Sequence, residues 1–124
     1  MTFCTTINCI DGRVQLPVVQ FLQKRFNALY VDSITEPGPV KLLATEQEGR
    51  AVASIFARVE VSLQHHDSVG IAIVAHHDCA GNPLPQAEQL LQLERAVTLT
   101  RDLWPRATII GLWVDEQWQV SEVF

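Results

Sequence analysis

Two short stretches concentrate the residues able to do chemistry, Cys9-Ile10-Asp11-Gly12-Arg13 and His76-His77-Asp78-Cys79. In extended backbone, alternate side chains share a face about 6.8 Å apart, so Cys9, Asp11 and Arg13 can line one wall. They offer a thiolate ligand, a carboxylate acceptor and a planar guanidinium that can grip that carboxylate in a bidentate pair. In the second stretch, residues three apart share a face in a helical turn, so His76 and Cys79 can hold one ion. Each stretch also has an ordinary reading: a buried Cys before an Asp-Gly turn, and a loop His pair beside a structural Cys.

Taken together the two stretches point to zinc. Imidazole nitrogen binds zinc at about 2.0–2.1 Å and thiolate sulfur at about 2.3 Å. Two thiolates from Cys9 and Cys79 and a neutral imidazole from His76 cancel the charge of Zn²⁺ and leave a fourth position open, the mark of catalytic rather than structural zinc. An Asp11–Arg13 pair beside that position is what an activated water needs for orientation.

These residues need elements to hold them. Thr2 to Ile10 is rich in β-branched residues and ends at Asp11-Gly12, a first strand. Pro17 opens a short amphipathic helix, Val18 to Phe26, with Val18, Phe21, Leu22 and Arg25 at helical spacing. Ala28 to Ile34 reads as strand two, and Thr35 to Pro39, with its Pro-Gly-Pro, as a loop. Glu46 to His65 is a helix with Val52, Ile55, Phe56, Val59 and Leu63 on one face. Gly70 to Ala75 is an apolar strand buried on both faces. After the loop His76 to Pro85 come a helix from about Gln86 to Leu103, stopped by Pro105, and a strand Ala107 to Val114. Asp115-Glu116 is a turn, from which Gln117 to Val123 returns as a final strand. Alternating strands and helices predict an α/β fold with a mostly parallel sheet covered on both faces. In such sheets ligands collect beyond the carboxyl ends of the strands where strand order reverses. Both motifs follow predicted strands.

Composition bounds the partners. The 124 residues, 48% hydrophobic, read as one domain, 1–124, able to bury a core without metal or disulfide staples. The net charge of -5, with no run of Lys or Arg, argues against nucleic acid or an anionic membrane. No window reaches the roughly 20 apolar residues of a membrane span, and the N-terminus does not read as a signal peptide. Three cysteines, an odd number, suit reduced thiols in the cytoplasm. Of the other candidates, Cys4 reads as a core thiol facing away from Cys9. His65-His66 reads as a helix end and His77 as a solvent-facing loop residue. Trp104, Trp113 and Trp118 read as core or interface anchors.

C-x-D-x-R after strand one and H-x-x-C after strand three resemble the signature of the β-class carbonic anhydrases. Ala53 to Ala75 (ASIFARVEVSLQHHDSVGIAIVA) is similar to that family's helix and strand leading to the zinc His, and Ile109 to Val123 (IIGLWVDEQWQVSEV) to its closing strand and hairpin. The resemblance implies Cys9, His76 and Cys79 as zinc ligands and Asp11–Arg13 as a catalytic dyad. It further implies a sheet in the order 2-1-3-4 with an antiparallel edge strand, a homodimer, and reversible hydration of CO₂ to bicarbonate. The chain departs from the family at Asp32 to Pro39, where an Arg-Asn-Ala-Gly type stretch is usual, and at Ala80, where Gly commonly follows the zinc Cys. The chain also reads as lacking the N-terminal helical arm that often braces the family's dimer. Two alternatives stay open: hydrolysis of carbonyl sulfide or carbon disulfide on the same scaffold, and a zinc-binding structural or regulatory protein without catalysis.

Overall fold

A strand whose side chains are apolar on both faces must lie inside a sheet covered on both sides. Gly70–His76, buried at every residue, does so: it is the central strand of five. The computed structural model describes residues 2–124. In chain order it runs β1 (Phe3–Cys9), α1 (Gly12–Arg25), β2 (Tyr30–Glu36), α2 (Pro39–Thr45), α3 (Arg50–His66), β3 (Gly70–His76), α4 (Gln86–Leu103), β4 (Thr108–Val114) and β5 (Val120–Glu122). The sheet order is β2-β1-β3-β4-β5, parallel except for β5, which runs antiparallel to β4. The implied order 2-1-3-4 with an antiparallel edge is therefore present.

Strand alternation divides the core in two. Ile7, Ile71, Ile73, Ile109 and Trp113 meet Val40 and Leu43 of α2, Val52, Ile55 and Val59 of α3, and Leu93, Ala96 and Val97 of α4. On the other face Cys4, Ala72, Val74, Ile110, Leu112 and Val114 meet Val14, Val18 and Leu22 of α1. One helix thus covers one side and three the other.

The final strand is shorter than expected, Val120–Glu122, with Gln117 to Gln119 in the connection that precedes it, and β2 runs to Glu36, two residues into the expected loop. Two helices differ as well. The first helix begins at Gly12, not at Pro17, because the Asp11 carboxylate caps it, accepting the Arg13 backbone N–H at 2.9 Å. Pro17 lies inside the helix, in its second turn. The second is α2, a seven-residue helix where the sequence showed only the end of a loop. Pro39 occupies its first turn, and Pro39, Val40, Leu43 and Ala44 are buried. Seven residues hold too few turns for a helical period to stand out.

Cys4 behaves as a core thiol, fully buried on the α1 face, opposite the metal motif. Burial, with the Asp32 charge adding to it, pushes its pKa from 9.0 up to about 11. Above pH 9 the unfolded chain loses this proton while the folded chain keeps it. Stability tied to the thiol is thus complete below pH 9 and falls as pH rises toward 11. Urea unfolding at pH 8 and pH 10.5 is expected to show the native chain losing about 1–2 kcal/mol more than Cys4→Ala between the two. Equal losses would exclude a raised thiol.

Candidate metal centre

Chain order turns around between β1 and β3: β2 lies on one side of β1, β3 and β4 on the other. The β1–β3 ladder ends at Ile7 opposite Ile73, whereas β1–β2 pairing continues to Cys9 and β3–β4 pairing to His76. The carboxyl ends of the two central strands therefore leave the crevice that parallel sheets use for ligands. Cys9 ends one strand and His76 the other.

Cys79 joins them from the turn after β3. That turn is not helical: Asp78 takes a left-handed φ of 57°, swinging the chain back so that Cys79 faces Cys9. The sulfur atoms of Cys9 and Cys79 are 3.9 Å apart. Two sulfurs each about 2.3 Å from a tetrahedral zinc stand about 3.8 Å apart. The ligand atoms of Cys9, His76 and Cys79 all lie within 4.8 Å of one another, and all three residues are buried.

His76 supplies the most telling detail. Its Nδ1 is 2.7 Å from the His77 carbonyl, so that nitrogen carries the proton and donates it. Its Nε2 is buried and has no hydrogen-bonding partner. A buried ring nitrogen with its lone pair free, beside two sulfurs, fits a metal ion better than any protein partner present. The donor set and spacing fit zinc.

The electrostatics agree. The hydrogen bond from the Cys79 thiol pushes Cys9 well below the ordinary thiol range, against the opposing effect of burial, with His76 and the backbone N–H groups of Gly38 and Asp11 adding to it. Cys79 is correspondingly raised, first by that same hydrogen bond and then by burial, so the pair retains one proton. Burial pulls His76 down, but its interactions with Cys9 and the His77 carbonyl together hold it above the usual imidazole value. A metal ion taking these three groups would displace those protons.

Asp11 and Arg13 also come together, though not by strand alternation. Asp11 is the helix cap and Arg13 the second residue of α1, which lets the side chain fold back onto its own cap. Nε donates to Oδ1 at 3.0 Å and Nη2 to Oδ2 at 2.7 Å, a bidentate pair. These bonds from Arg13 hold the Asp11 carboxyl down at about 2.

Two glycines complete the setting, and neither stood out in the sequence as part of a site. Gly38, at φ 59°, and Gly81 pack backbone on backbone: a Cβ on Gly38 would lie 2.7 Å from the Gly81 carbonyl carbon, and one on Gly81 2.5 Å from that of Pro37. This contact presents the Gly38 N–H to Cys9 and the Gly81 and Asn82 N–H groups to Cys79. Pro-Gly-Pro marked a loop; nothing local marked what the loop touches. Gln89 of α4, also buried, donates to the carbonyls of His76 and Leu84 at 3.0 Å and ties the turn after β3 to the helix behind it.

The remaining candidates fall into place. His77 is exposed, as expected of a loop residue. His66 ends α3 and meets Asp32 at 2.6 Å. Trp113 is core, and Trp104 packs edge-on against Phe56 while donating to Glu60 at 2.9 Å. Trp118 packs against the α1-face core and also covers the Arg13 guanidinium at 4.4 Å.

A three-layer α/β sheet with Cys, His and Cys at its switch point defines a class, and comparison with known proteins agrees. Residues 1–124 match the model of the family described as "Putative carbonic anhydrase", and the chain belongs to that family. Its fold is similar to a tetrameric β-carbonic anhydrase from the filamentous ascomycete Sordaria macrospora. That match has a TM-score of 0.66 at 11% identity, covering 97% of this chain and 79% of the other. It is also similar to the β-carbonic anhydrase CafA of the fungal pathogen Aspergillus fumigatus, with a TM-score of 0.53 at 15% identity over 97% of this chain and 74% of that one. No curated protein matches. Among the described residues, no helix is long and apolar enough to cross a membrane.

Proposed function

We propose that the chain is a zinc-dependent enzyme for the reversible hydration of CO₂ to bicarbonate, with Cys9, His76 and Cys79 as metal ligands and Asp11 and Arg13 as the catalytic pair. One observation carries the reading: a buried, unpartnered His76 Nε2 beside two cysteines with sulfurs 3.9 Å apart, next to a carboxylate held ionised by arginine. Bound there, zinc would supply the acidity that makes hydroxide from water near neutral pH. The chain's own groups do the rest. Cys9 and Cys79 set the charge of the site, and the His77 carbonyl fixes the His76 tautomer. Asp11, aimed by its bonds to Arg13, offers the acceptor that orients a proton beside the ligands. Cytoplasmic residence and assembly as a homodimer complete the proposal, from the reduced cysteines and the family resemblance.

A stopped-flow CO₂ hydration assay on zinc-loaded protein tests it. Turnover above buffer is expected, falling about 10²–10⁴-fold in Asp11→Asn, which keeps the shape but loses the charge. No rate above buffer would overturn the catalytic reading.

A second reading, zinc held for structure or regulation, is favoured by the walls of the site. Gly38, Pro39, Val40, Asn82 and Gln89 pack closely around the three ligands. That reading predicts stoichiometric zinc and zinc-dependent stability without turnover.

A further inference from the structure

The hairpin between β4 and β5 holds a conformational anomaly beside the site. Trp118 has φ 61°, in the left-handed region where bulky side chains are strained. The other non-glycine residues at positive φ among those described are Asn27, Asp67 and Asp78, types that tolerate it. The turn imposes this conformation. The Asp115 carboxylate accepts the N–H groups of Gln117 and Gln119, each at 2.9 Å, and the Asp115 carbonyl accepts that of Trp118 at 3.0 Å. Beyond it, Glu122 of β5 is pinned to Arg25 of α1 at 2.6 Å. Glycine would meet the backbone demand at no cost. Strain of this kind persists where the side chain has something to do.

The half-buried Trp118 ring packs against the α1-face core and also covers Arg13, whose guanidinium carbon lies 4.4 Å from the ring centroid. Arg13 is 45% exposed, and the exposed end of an arginine bound to one carboxylate is held loosely. Two distant partners prevent this. Asp78, in the metal turn, receives Nη1 at 3.2 Å on its carboxylate and Nη2 at 3.1 Å on its carbonyl. Trp118 closes the guanidinium face, where a cation over an indole ring is held by the ring's quadrupole. Three segments thus meet on one side chain: the α1 cap, the turn carrying Cys79, and the β4–β5 hairpin.

We propose that Trp118 is a positioning residue: acting through Arg13, it fixes where the Asp11 carboxylate points, and with Asp78 it couples the hairpin to the metal turn. The inference rests on the proposed role of Asp11 and Arg13, but its physical core, the immobilisation of Arg13 by an aromatic face, is measurable without zinc or substrate.

The test reads the Arg13 Nε–Hε group by NMR in ¹⁵N-labelled protein, before and after zinc is added, with Arg13→Gln identifying the resonance. In the native chain the signal is expected to be ring-current shifted and slow to exchange with water. Trp118→Phe, which keeps an aromatic face, should retain most of both effects. Trp118→Leu, which keeps bulk without the face, and Trp118→Gly, which relieves the backbone, should lose the shift and exchange about tenfold faster. Thermal unfolding of the three variants confirms that each remains folded, and Leu and Gly approach the same end from opposite backbone costs. In the hydration assay, kcat is expected to fall in Leu and Gly with KM little changed. Unchanged Arg13 exchange and shift in Trp118→Leu and Trp118→Gly would overturn the proposal. Absence of turnover in the native chain would overturn the hydratase reading and leave the NMR result standing.

Discussion

Replacing Cys79 by serine is expected to lower zinc affinity by more than about 100-fold and to remove most of the stabilisation that zinc gives the native chain. Outer-shell changes alone cost about 10–100-fold, and this substitution removes a ligand. Serine keeps nearly the shape of cysteine but is not ionised near neutral pH, so one of the two negative charges that balance Zn²⁺ disappears. Cys79, although buried, sits in a turn outside both core clusters, so comparison of the two zinc-free proteins isolates the smaller cost to the fold. Zinc at about 1,000 times its dissociation constant stabilises a folded chain by about 4 kcal/mol, equivalent to a rise in Tm of roughly 10–20 °C for a chain of this size. Competition against a chromophoric chelator gives the affinity, and thermal unfolding with and without zinc gives the shift. Native-like affinity and an undiminished shift in the serine variant would place the metal elsewhere.

The sheet was legible in the sequence because its strands are buried in different degrees. Gly70 to Ala75 is apolar on both faces and so could not be mistaken, while β2, at the edge, is mostly half-exposed, with Ile34 its one buried residue. Helices α3 and α4 run 17 and 18 residues, long enough for their period to show. What escaped was short or capped. Pro17 looked like a helix start because proline favours the first turn, but the true start was set by the Asp11 carboxylate accepting the Arg13 N–H, which competes with the Asp-Gly turn reading of the same two residues.

The site followed a similar rule. Cys9, His76 and Cys79 were visible as residue types at suggestive spacing, and topology brings them together as that spacing required. The reasons given for their geometry were less apt than the residues chosen. Cys79 reaches Cys9 through a left-handed turn at Asp78 rather than a helical one, and Arg13 grips Asp11 across a helix cap rather than along a strand. Trp118 could not be assigned to Arg13 at all, because a separation of 105 positions leaves no local pattern and the contact depends on how a hairpin is turned. The segment Asp32 to Pro39, whose departure from the family pattern spoke against a working site, delivers a backbone N–H to Cys9. A main-chain donor asks only that its residue fit the backbone, here that position 38 be glycine, so sequence difference elsewhere in the segment does not measure loss of support.

That main-chain support makes Gly38→Ala the second large-effect substitution. Two penalties act together. At φ 59° an alanine occupies the left-handed region, which costs about 1–2 kcal/mol. Its Cβ would also lie 2.7 Å from the carbonyl carbon and 2.8 Å from the oxygen of Gly81, backbone atoms that no rotamer change can move aside. The Pro37–Pro39 loop and the turn carrying Cys79 must separate, withdrawing the Gly38 N–H from Cys9 and disturbing the Gly81 and Asn82 donors at Cys79. Stability is expected to fall by about 2–3 kcal/mol, and zinc affinity by about 10–100-fold although every ligand is intact. Gly12→Ala is the matched control: it adds the same methyl group one residue from Asp11, at a position where a Cβ meets nothing within 4 Å. Urea unfolding of the zinc-free proteins separates the stability cost from the zinc affinity, which chelator competition measures. If Gly38→Ala binds zinc as tightly as Gly12→Ala, the two loops do not need their close approach, and the thiolates are held by the strand end and the Asp78 turn alone.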